Sequence, residues 1–156
     1  MPEKEVLKKL LLIFFVLFSI NTFAQEKKIS AGLGPEWNMD SRHNFAAGVS
    51  FSMDYTFSNL MALGFSVTGS NNFNGFQVLE GVVLVRQYHP GSSGFFAQGD
   101  MGTLIFFENG EVNPMPLFGL RLGFRRPMSS TFALEPYGRL GYPFAFGIGL
   151  TAKIHF

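Results

Sequence analysis

From Phe144 to Phe156 every even position is apolar and every odd position is small or polar, and the chain ends on an aromatic residue. Successive strand side chains point to opposite faces, so this pattern predicts a strand. One side carries Phe144, Phe146, Ile148, Leu150, Ala152, Ile154 and Phe156; the other carries Lys153 and His155. The same period of two recurs over residues 29–38, 45–55, 61–69, 76–88, 95–107, 115–125 and 131–141. Its cleanest internal run sets Phe45, Ala47, Val49, Phe51, Met53 and Tyr55 against Ala46, Gly48, Ser50, Ser52 and Asp54. Eight such segments at hairpin spacing predict an all-β chain of up-and-down antiparallel strands.

In most segments the opposite face is made largely of small, polar or charged residues. A strand with one greasy and one wet face suits a wall between lipid and a polar interior, and in lipid no sheet edge can be left unpaired. The pattern therefore predicts a closed eight-stranded transmembrane barrel. Over 76–88 two faces compete. Val78, Val82 and Leu84 share theirs with Glu80 and Arg86, so Leu79, Gly81, Val83 and Val85 are assigned outward. A basic group facing lipid near the midplane costs roughly 2–4 kcal/mol, whereas an inward Val costs little. Pro136 falls inside a strand and predicts a bulge or a locally broken bond, because proline lacks the ladder donor. Short turns are expected over 57–60, 90–94 and 127–130, with small loops at the other end over 39–44, 70–75, 108–114 and 142–143.

The amino terminus agrees with export. Lys4, Lys8 and Lys9 precede an apolar run over 10–20, followed by Thr22 and Ala24. That order predicts a signal peptide over residues 1–24, leaving one domain over 25–156. A run of about eleven apolar residues is well short of the roughly 20 that a spanning helix needs. The chain contains no cysteine, which excludes disulfides and a lipoprotein anchor. Removing residues 1–24 takes three Lys and two Glu from twelve basic and eleven acidic side chains, so the remainder is formally neutral. Nucleic-acid binding needs a basic patch or stripe, and no such partner is expected.

Collected across the strands, the inward faces carry Glu36, Asp54, Glu80, Asp100 and Glu135 against Arg86, Arg121, Arg125, Arg139 and Lys153. An eight-stranded barrel is only wide enough for its own side chains, and buried charges persist when paired. A salt-bridged plug is therefore expected, with wet-rim positions an equal alternative for Glu36, Asp54 and Arg125. Trp37, Tyr55, Tyr88, Phe95, Phe107, Tyr142, Phe144 and Phe156 fall near strand ends, where aromatic girdles sit at the two membrane interfaces.

These features together resemble the small eight-stranded outer-membrane barrels of Gram-negative bacteria, the OmpA-type transmembrane domain and its OmpX-like relatives. Leu150, Ile154 and Phe156, at alternate positions up to the terminus, resemble the signal read by the outer-membrane assembly machinery. The resemblance implies outer-membrane lipid and that machinery as partners, no cofactor and a structural or surface-display role. The outer loops are shorter than in relatives that bind host or phage surfaces, and no periplasmic wall-binding domain follows, so no external partner is indicated. The alternatives are a narrow passive channel, a soluble ligand-binding barrel of lipocalin type, or a lipid A-modifying enzyme. A lipocalin puts its apolar face inside, and only 15% of this chain is charged, too little to coat a soluble exterior. Asp40, Ser41 and His43 hold the residue types of a hydrolase triad, but neighbours in one short loop seldom reach its geometry. Three scattered His and no Cys give no zinc site.

Overall fold

The computed structural model describes residues 28–40, 44–72, 77–90, 94–108 and 110–156. The expected signal peptide, Ser41 and His43 lie outside these residues, as do parts of the expected loops over 39–44, 70–75 and 90–94. Among the described residues eight long strands follow one another. They are β1 (Lys28–Asp40), β2 (Phe45–Ser58), β3 (Met61–Asn71), β4 (Gln77–Tyr88), β5 (Phe95–Glu108), β6 (Glu111–Phe124), β7 (Phe132–Tyr142) and β8 (Phe144–His155). The pair Arg126–Pro127 continues β6 past Arg125. Each strand pairs antiparallel with its sequence neighbour, and β1 pairs with β8. The sheet is therefore a closed eight-stranded up-and-down barrel.

The register also sets the lumen. The pairings from Phe106 run through Val78, Ser70, Gly48, Glu36, Gly149 and Tyr137 to Gly123, and return to β5 at Phe96, ten residues earlier. Such stagger tilts the strands and, with eight of them, leaves an interior that side chains fill. Burial alternates with a period of two, most regularly in β4, where Glu80, Val82, Leu84 and Arg86 are buried while Leu79, Gly81, Val83 and Val85 are exposed. The assignment of that strand's faces from the charges matches this arrangement.

Several boundaries and orientations differ from expectation. Of the loop expected over 108–114, Glu108 and residues 111–114 are strand, because β5 and β6 pair as far as Glu108 and Glu111, and residue 109 lies outside the described residues. Between Glu108 and Glu111, Gly110 has a φ of 82°, a value that glycine readily supplies. Pro114 and Pro116 fit this hairpin because β6 pairs with β7 only from Phe118 onward, so both lie on a free edge. Phe144, expected outside, is 3% exposed. The reason is a bulge: Met39 pairs with Phe146 but Asp40 pairs with Phe144. Ala145 and Phe146 consequently both face out, and the alternation reverses before them. Tyr88, also expected in the girdle, turns inward to Arg125. Trp37, Tyr55, Phe95, Phe107, Tyr142 and Phe156 are exposed on the outer wall.

Pro136 stays in register with Leu150 on β8, while on its other side the ladder lapses between Gly123–Tyr137 and Arg126–Leu134. The local break expected there is present. The start of β1 and the carboxy-terminal residue share one end of the barrel, hereafter the end of the termini, where the Phe156 N–H donates to the Ile29 carbonyl at 2.8 Å.

Candidate functional site: the charged lumen

All ten inward charges project into the barrel, and nine are buried. Arg125 is the exception; its side chain is 18% exposed. They form two tiers along the axis. The tier nearer the chain termini centres on Glu135, which meets Arg86 at 2.8 Å, Arg125 at 2.5 Å and Lys153 at 3.6 Å. Asp54 meets Lys153 at 2.6 Å and Arg86 at 3.7 Å. Arg125 also donates to the Tyr88 hydroxyl, and the Arg86 guanidinium lies 4.2 Å from the centre of the Phe96 ring. Such stacking suits a flat, weakly hydrated guanidinium.

The second tier centres on Glu36, contacted by Arg139 at 2.7 Å and Arg121 at 3.3 Å. Arg139 reaches on to Glu80 at 2.7 Å, and Arg121 to Asp100 at 2.5 Å. Tyr137 and Asn38 donate their own hydrogen bonds to Glu36. The Tyr137 ring crosses β8 to do so, and the crossing requires glycine: a methyl at Gly149 would overlap that ring. Gln98 joins the tiers, since its carbonyl accepts from Arg86 and its amide donates to Asp100 at 2.6 Å. The first tier holds three cations and two carboxylates, and the second two cations and three carboxylates. Each excess offsets the other across the Gln98 bridge.

Towards the end away from the termini, the second tier is covered by apolar side chains. Val78, Val82, Leu104, Leu117 and Phe144 form a buried cluster against which Phe106 packs. This cap was not foreseen, since strict alternation offers no reason for Leu104 or Leu117 to face a polar lumen. Asn38, Tyr88 and Tyr137 likewise acquire their roles only from the cross-strand register. The described residues include no group of three or more His, Asp or Glu able to hold a metal ion. Asp40 accepts two hydrogen bonds from Asn44, at 2.9 Å each. His155 meets Ser30 at 2.7 Å, but Ser30 is fully buried in the wall's inner face. Leu150, Ile154 and Phe156 face outward.

No protein-family profile matches the chain, and no curated protein sequence matches it. Among solved structures it is similar to the N-terminal β-barrel domain of Pseudomonas aeruginosa OprF, with 10% identity and a TM-score of 0.63, covering 85% of this chain and 98% of that one. Neisserial surface protein A matches with 12% identity and a TM-score of 0.59 over 83% of this chain and 95% of the other. Ail, the attachment invasion locus protein of Yersinia pestis, was crystallised with the heparin analogue sucrose octasulfate. It matches with 12% identity and a TM-score of 0.53 over 85% and 100% of the two chains. The chain thus has the fold of the eight-stranded outer-membrane barrels.

Proposed function

We propose that this protein is an integral outer-membrane barrel whose lumen is closed by its own ion pairs, and that it acts as a non-catalytic structural and surface-display element. The observation that carries the reading is the inversion of polarity: Glu36, Glu80, Glu135, Arg139 and Lys153 are buried inside, whereas Phe51, Val83, Leu120 and Ile148 are exposed outside. Water gives no reason for that arrangement, and lipid does. Residues 1–24 direct export and are removed, and Leu150, Ile154 and Phe156 present the outward apolar pattern that the assembly machinery engages.

The geometry of the plug supports closure. Any ion crossing the lumen must separate buried pairs at 2.5–2.8 Å and pass the apolar cap. The test is planar-bilayer recording of purified, refolded protein. The plug predicts a silent membrane; reproducible single-channel steps would establish the narrow-channel alternative instead.

A further inference from the structure

The outer wall is not uniform. Near the end away from the termini, Trp37, Met39, Phe45, Phe146 and Ile148 surround an apolar cavity of about 380 Å³, with Asn38 as its polar member. Trp37 and Met39 lie late in β1, Phe45 opens β2, and Phe146 and Ile148 lie early in β8. The cavity adjoins the bulge that turns Phe144 into the core. That reversal leaves Ala145 as the outward side chain next to Phe146. Trp37, Phe45, Phe146 and Ile148 remain exposed around the recess, which is continuous with the rest of the apolar wall.

We propose that this recess is a docking site for one acyl chain of a membrane lipid. The inference rests on the reading of the protein as a membrane barrel. Its shape and chemistry select the occupant. The volume lies in the range of small-molecule pockets, the lining is almost wholly apolar, and its exposed members belong to the outer wall, which on this reading meets lipid. A second barrel is less suited, because a convex wall approaching a recess leaves it unfilled, whereas a flexible chain fills it. Loss of contacts across a gap forfeits dispersion energy, so a chain seated here is held more firmly than one lying on the smooth wall. Roughly ten additional carbon contacts give about a fivefold preference.

The chain has a single tryptophan, and it lies at the site. The protein is refolded into phosphatidylcholine vesicles and titrated with lysophosphatidylcholine carrying a brominated acyl chain, with Trp37 emission as the readout. The reference is the double variant Trp37→Phe/Phe51→Trp, which moves the fluorophore to an exposed wall position outside the recess. Trp37 is expected to be half-quenched at a probe fraction about fivefold lower than the reference. Met39→Phe and Ile148→Phe, which fill the recess while keeping the wall apolar, are expected to bring Trp37 to the reference curve. Coincident curves in the unfilled protein would overturn the proposal while leaving the membrane reading intact. A Trp37 curve that moves to higher probe fraction as protein density rises would assign the recess to a second barrel, and would also overturn it. Absence of quenching at both positions in fully brominated bilayers would instead reject the membrane reading itself.

Discussion

Replacing Arg139 by Met tests whether the plug is a set of mutually dependent pairs. Arg139 is 2% exposed and spans the lumen between Glu36 and Glu80, at 2.7 Å from each. The two carboxylates differ in what remains after its removal. Glu36 keeps Arg121 at 3.3 Å and the hydrogen bonds from Tyr137 and Asn38. Glu80 has Arg139 as the one cation within ion-pair distance among the described residues. Breaking a buried pair by deleting one partner costs about 3–5 kcal/mol, chiefly because the other charge is stranded. The single variant is therefore expected to lose about 3–5 kcal/mol, measured by equilibrium urea unfolding in lipid vesicles with Trp37 fluorescence. The double variant Arg139→Met/Glu80→Gln removes the stranded charge and is expected to regain about 1–3 kcal/mol of that loss. A single-variant cost below about 1 kcal/mol, the range of exposed pairs, would refute the claim that this tier is dry and coupled. So would a double variant no more stable than the single one.

Three further outcomes follow from the same geometry. Gly149→Ala sets a methyl against the Tyr137 ring and breaks its bond to Glu36, for an expected loss of about 1–3 kcal/mol in the same unfolding assay. Gly138→Ala, whose added methyl meets open space, is expected to stay within about 0.5 kcal/mol of the parent. Leu120→Arg, on the outward face midway along β6, is expected to cost roughly 2–4 kcal/mol in bilayers, against about 0–1 for Phe45→Arg at the start of β2. Equal costs at the two positions would show that the wall does not cross a hydrocarbon layer.

The barrel was legible because its two faces obey different chemistry. Gly, Ser and charge on one side and Phe, Leu, Val and Ile on the other mark a strand even where, as in β4, two apolar faces compete and Glu80 and Arg86 decide between them. Less legible were the places where the lumen is itself apolar. Phe96, Leu104 and Leu117 are fully buried inside, and alternation alone reads such residues as interruptions of a polar face. The bulge before Phe146 was invisible for a different reason: it inserts one residue between β1 and β8, and an unbroken even-numbered apolar run conceals the reversal. At the β5–β6 hairpin the turn signal was present in Asn109-Gly110, but the expected loop ran on through Pro114, because the free edge that accommodates a proline there is a property of the pairing. Alternation names the charged residues that share a face. Their partners were not legible, since the contact between Glu36 and Tyr137 spans 101 residues and depends on a glycine in a third strand.

The central claim, a closed barrel set in the outer membrane, is tested most directly by fractionating expressing cells and running the outer-membrane fraction on SDS gels with and without boiling. A closed ladder that includes β1 with β8 is expected to resist SDS until heated. The account predicts that the protein is in that fraction and that its mobility shifts on boiling. Recovery in the soluble periplasmic fraction, with no heat-dependent shift, would contradict it.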